Sequence, residues 1–132
     1  MDGTQRSRAS TIRSYQDLEV WQLAVDLVEQ CYELTKQFPK DELYGLTSQI
    51  RRASVSVAAN IAEGFGREHT ASFVQFLRIS QGSNRELETH LIIARRLKLA
   101  DDEAVRELLA VGERISKMLR SLVRSLESRN RG

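Results

Sequence analysis

Proline and cysteine each occur once in the 132 residues, aromatics make up only 6%, and no long apolar run escapes interruption by charge. Each scarcity excludes something. The lone cysteine, Cys31, has no intramolecular disulfide partner, and no apolar run follows a basic start in the manner of a signal peptide, so the expected compartment is the cytoplasm. A membrane-spanning helix needs about 20 predominantly apolar residues, which excludes a transmembrane role. Strand-rich domains carry more aromatics, β-branched residues and turn signals than this chain does. A Gly-rich phosphate loop is missing, as is any strand to precede one.

What remains is 41% hydrophobic and 29% charged, at a length that suits one domain with a real core. The net charge is only +2, but it is distributed unevenly. Residues 17–44 hold Asp17, Glu19, Asp26, Glu29, Glu33, Asp41 and Glu42 against Lys36 and Lys40. From Arg114 onward the balance reverses, with Arg114, Lys117, Arg120, Arg124, Arg129 and Arg131 opposed only by Glu127. Local balance of this kind matters more than the total when partners are inferred.

Four helical segments follow from the apolar spacing. The first, Asp17 to Phe38, carries two seams, Leu18, Trp21, Val25, Val28, Tyr32 and Val20, Ala24, Leu27, Cys31, Leu34, Phe38. Together they cover an arc wider than one packed neighbour needs, which predicts more than one partner surface. Pro39 ends that segment. The second, Tyr44 to Glu63, places Leu46, Ile50, Ala53, Val57 and Ile61 on one face and Val55, Ala58, Ala59 and Ala62 on the other. Gly64 and Gly66 are expected to take left-handed conformations at its end, and Thr70 to cap the next helix. The third, Ala71 to Leu99, turns Phe73, Phe76, Leu77, Ser80, Asn84, Leu87, Leu91 and Ala94 inward, with close packing expected at Gly82. Asp101, Asp102 and Glu103 open the fourth, whose Val105, Leu108, Val111, Ile115, Met118, Leu119, Leu122 and Leu126 keep heptad-like spacing. The expected fold is all-α, an antiparallel up-down four-helix bundle over 15–127, with a flexible basic arm at 1–14 and a flexible basic tail at 128–132.

Asp17-Leu18-Glu19-Val20-Trp21, Phe38-Pro39, Gln49-Ile50-Arg51-Arg52-Ala53, Asn60-Ile61-Ala62-Glu63-Gly64, and Gly82-Ser83 followed by Glu86-Leu87-Glu88 stand in that order along Tyr15 to Leu126. In them the chain resembles the four-helix bundle proteins encoded within intervening sequences of bacterial large-subunit rRNA genes. The resemblance implies a protomer that assembles as a ring-like homo-oligomer, a homopentamer, and it implies little about activity. Accessory proteins of diversity-generating retroelements are similar in size and architecture and bind nucleic acid through a basic surface, but their local motifs are not shared.

Two constellations carry the functional expectations. Gln49, Arg52, Ser56, Asn60 and Glu63 line one flank of the second helix, and Ser83, Glu86 and His90 one flank of the third. Each strip sits beside an apolar face, so pairing the helices would set Arg52 against Glu86 or Glu63 in a structural polar network that fixes register. The alternative is a small acid-base or metal cleft of Glu63, Glu86 and His90, which lacks the Glu-x-x-His spacing of di-iron bundles. The second constellation is basic: Arg114, Lys117, Arg120 and Arg124 recur at steps of three or four, and Arg95, Arg96 and Lys98 form another cluster. A solvated face is the plain reading of such a run, with Glu107, Glu113 and Glu127 nearby to offset it. Repetition around a ring would turn it into a surface able to neutralise several phosphates. Trp21, Tyr32 and Phe38 read as core aromatics, His69 as an exposed loop residue, and Cys31 as a buried, inert thiol. The expectation is therefore a non-catalytic interaction protein, without metal or cofactor, whose partners are copies of itself and RNA or DNA. A protein scaffold is the alternative.

Overall fold

Apolar residues at steps of three and four form four helices, α1 (Glu19–Thr35), α2 (Ser48–Phe65), α3 (Thr70–Arg96) and α4 (Asp102–Arg131), and there is no strand among the described residues. The computed structural model describes residues 12–131. Most of the expected 1–14 arm therefore lies outside the described residues. At its inner end the Ser14 hydroxyl accepts from the Gln16 N–H at 3.0 Å, and the Asp17 carboxylate accepts from the N–H groups of Arg13 and Ser14 at 2.8 and 3.2 Å. Those two backbone donors hold the Asp17 pKa below the ordinary carboxylate value. At the other end α4 continues through 128–131, where a tail was expected.

Each helix packs against the next in chain order, and α4 closes onto α1. Partner numbers fall on one helix as they rise on its neighbour. Between α2 and α3, Ser56 meets Ser83, Val57 meets Ser80, and Gly64 meets Phe73 and Phe76. Between α3 and α4, Asn84 reaches Gly112 and Arg78 reaches Glu127. The core draws on every helix, with Ala24, Leu27, Cys31, Ile50, Val57, Ile61, Leu77, Leu87, Leu91, Val105, Ile115 and Leu119 almost wholly buried. Burying each large aliphatic side chain contributes about 1.5–3 kcal/mol against leaving it in water. Of the two α1 seams, the one through Ala24 and Leu27 is buried, while Trp21, Val25 and Val28 are half-buried and Tyr32 is 40% exposed. Tyr32 is thus not the core aromatic expected; Trp21 packs edge-on against Tyr15, and Phe38 is buried.

Buried polar groups find backbone acceptors, as a low-dielectric interior demands. The Ser80 hydroxyl donates to the Val57 carbonyl at 2.8 Å and the Asn84 amide to the Gly112 carbonyl at 2.9 Å. Burial pushes the Cys31 thiol up to about 12, against a smaller opposing hydrogen bond with Ser54, so it stays protonated.

The helix ends depart from expectation in instructive ways. Neither Gly64 nor Gly66 is left-handed. A Cβ at Gly64 would lie 2.8 Å from the Phe76 Cβ and 2.9 Å from the Phe73 ring, so this glycine serves helix approach. At Gly82, where close packing was expected, a Cβ would meet nothing within 4 Å. The left-handed residue is Lys98, at φ 62°. It completes a C-terminal motif in which the Lys98 N–H donates to the Arg95 carbonyl and the Leu99 N–H to the Ala94 carbonyl, both at 2.9 Å. Thr70 is the first residue of α3 and His69 precedes it without a side-chain cap. Tyr44 does not open α2 but sits in a wide turn, Leu43–Thr47, interrupted by non-helical Gly45. There the Glu42 carboxylate accepts from the Leu46 N–H at 3.1 Å, and a Cβ at Gly45 would stand 2.8 Å from that carboxylate.

Candidate functional site

The basic stripe on α4 is set by the helix's own amphipathy. With Ile115, Leu119, Val123 and Leu126 turned into the core, Arg114, Lys117, Arg120 and Arg124 are left on the solvent side, all exposed. At 1.5 Å per residue the stripe runs about 15 Å. Glu127, the one acid within the basic C-terminal segment, is held at 2.9 Å by Arg78 of α3. Arg120 donates to the Ser116 hydroxyl at 3.2 Å, and none of the four cations enters an ion pair among the described residues. Glu107 and Glu113, placed to offset the stripe, form no ion pair with it.

The second basic cluster stays apart. Arg95 and Arg96 occupy the last turn of α3, where cations suit the negative end of the helix dipole, and Lys98 follows in its left-handed position. They too form no ion pair among the described residues. Arg114 lies a dozen residues into α4, about 18 Å along its axis from the end nearest that cluster.

The polar strip is only partly a network. The Ser56 and Ser83 hydroxyls share a 2.7 Å hydrogen bond between α2 and α3, and the Asn60 amide donates to the Ser56 carbonyl and hydroxyl at 2.8 and 3.0 Å. The remaining members do not join across the helices. Glu63 pairs with Arg67 at 2.8 Å and Glu86 with His90 at 3.3 Å, each within its own stretch of chain. The expected pairing of Arg52 with Glu86 or Glu63 is not formed: Glu63 lies further along the same helix, about 16 Å away at 1.5 Å per residue, and Glu86 bonds His90 one turn on. Gln49 and Arg52 are exposed. Among the described residues no three His, Cys, Asp or Glu side chains converge as a metal would require. His69 is exposed in the α2–α3 connection.

One arrangement was missed. The Arg51 guanidinium lies 4.5 Å over the Tyr32 ring, and its Nε–H donates to the Thr35 hydroxyl at 2.8 Å. Arg51 and Tyr32 line an open trough at the start of α2 that also holds Tyr44, Ser48, Arg52 and Val55. The adjacent basic pair Arg51-Arg52 was the available signal, but it read as part of a family motif and a polar strip.

A model of the family described as 23S rRNA-intervening sequence protein matches residues 16–121 of this chain. The chain belongs to that family. The matched span takes in α1 to α3 and most of α4, including Arg114, Lys117 and Arg120 of the stripe, and stops short of Arg124. A crystal structure of a protein with unknown function from the S23 ribosomal protein family of Bacteroides thetaiotaomicron is similar at a TM-score of 0.71 and 21% identity, over 79% of this chain and 97% of that one. At that identity the likeness speaks for the fold. No curated protein matches the chain. No helix among the described residues is long and apolar enough to cross a membrane.

Proposed function

We propose that this family member is a non-catalytic, cytoplasmic interaction protein, an antiparallel up-down bundle that assembles with its own copies into a pentameric ring and binds RNA or DNA through the outward face of α4. The observation that carries the reading is the unpaired state of Arg114, Lys117, Arg120 and Arg124 among the described residues, with Glu127 drawn aside by Arg78. Cations left free of protein carboxylates release counterions when they meet phosphates, and a ring repeats each modest stripe around its circumference. Assembly is supported by exposed Ile79, Ile93 and Leu97, and by Gly82 with open space beside it, all on α3 or just past its end rather than on α4. A non-catalytic role is favoured by how the polar strip spends its groups, with Ser56, Ser83 and Asn60 bonded together and Glu63 and Glu86 each paired.

Titration of nuclease-treated protein into labelled structured RNA, single-stranded RNA and duplex DNA at two salt concentrations tests the reading. Binding that weakens steeply with salt is the expected result. Absence of binding to all three would leave the stripe a solvated face and favour the scaffold reading.

A further inference from the structure

The trough beside Tyr32 combines features that a solvated face does not need. Tyr44 is 92% exposed and Tyr32 40%, and both line one open trough of about 720 Å³, inside the range of about 300–1,000 Å³ that small-ligand clefts occupy. Its charged lining residues are Arg51 and Arg52, and no carboxylate is among the lining side chains. Arg51 is pre-oriented by its bond to Thr35 and its stack on Tyr32, which leaves its terminal nitrogens without a protein acceptor among the described residues. Arg52 has no ion-pair partner among them either. Tyr44 is presented by a built turn, since Gly45 leaves room for the Glu42 carboxylate to cap the Leu46 N–H.

A ligand that satisfies the whole set is anionic and carries a flat aromatic surface. Two guanidinium groups suit phosphates, and exposed tyrosine rings suit bases unstacked from their neighbours. We infer that this trough holds a nucleotide of single-stranded RNA, its phosphate on Arg51 and Arg52 and its base stacked on Tyr44. The proposal rests on the nucleic-acid reading above and adds a second contact of a different kind. The α4 stripe senses phosphate charge alone, and the trough senses whether bases are present and free.

The test compares two fluorescently labelled 12-nucleotide probes of equal charge, an oligouridylate and its abasic counterpart, by anisotropy on the full chain. Wild-type protein is expected to hold the oligouridylate about tenfold more tightly, in line with base–aromatic stacking. In Tyr44→Ala, a change at a side chain that is almost wholly exposed, the two affinities should become equal with the circular dichroism unchanged. In Tyr44→Trp, oligouridylate should quench emission beyond any change seen in wild type, and the abasic probe should not. Arg120→Glu with Arg124→Glu should weaken both probes alike and preserve their ratio. A ratio of one in wild type, or an undiminished ratio in Tyr44→Ala, would overturn the trough while leaving the stripe standing. Failure of both probes to bind would sink the two readings together.

Discussion

On α4 the outward positions include Arg106, Glu113, Arg114, Lys117, Arg120 and Arg124, whereas Tyr32 of α1, Val55 of α2 and Ile79 and Ile93 of α3 reach solvent, as does Leu97 just beyond α3. The inner faces are alike, and all four helices bury aliphatic rows in one shared core. The outer faces are therefore free to differ, because they are not what holds the fold. Single exposed hydrophobic residues are ordinary on any protein. Among the described residues no large hydrophobic residue is exposed on α4, and Ile79, Ile93 and Leu97, on α3 and just past it, mark a side suited to protein contact, apart from the α4 side suited to phosphate.

Leu119→Ala, at a wholly buried position of α4, should cost about 2–5 kcal/mol by urea denaturation, and Lys117→Ala two residues earlier should stay within about 0.5 kcal/mol. Equal effects would mean that α4 is not oriented as described. Gly64→Ala should come next, destabilising by about 1–3 kcal/mol because its methyl group would press on Phe73 and Phe76. Gly82→Ala should do the reverse in the protomer, raising stability by about 1 kcal/mol, since helix propensity improves and nothing is displaced. If Gly82 faces a second copy, the same change lowers the light-scattering mass on dilution, so thermal melts and mass should move in opposite directions. Lys98→Gly should stabilise slightly, by up to about 1 kcal/mol in a thermal melt, by relieving a side chain from the left-handed region.

Periodicity made the four helices legible, because a side chain three or four positions on returns to the same face whatever the tertiary context. The inner row of α4 from Val105 to Leu119 is the clearest case. What spacing cannot register is the identity of the opposing atom. Gly64 and Gly82 look interchangeable in sequence, yet one lies against two phenylalanines and the other against open space. The same limit explains Arg52, which meets neither expected acid, and Asn84, whose partner proved to be a carbonyl of α4. At Tyr44 a helical pattern was interrupted by local chemistry, the Glu42 cap that Gly45 accommodates. The basic stripe was legible as a set of four, but its freedom from carboxylates depends on Arg78, nearly fifty residues away from Glu127.

The salt dependence of RNA affinity, compared between wild type and the double variant Arg120→Glu, Arg124→Glu, tests phosphate binding by the α4 stripe, with circular dichroism and mass confirming an intact fold and assembly. Phosphate contact by the α4 stripe entails weaker binding by the variant and a slope of log affinity against log salt shallower by about 2, roughly one for each phosphate contact removed. Unchanged affinity and an unchanged slope in a folded, assembled variant would contradict it.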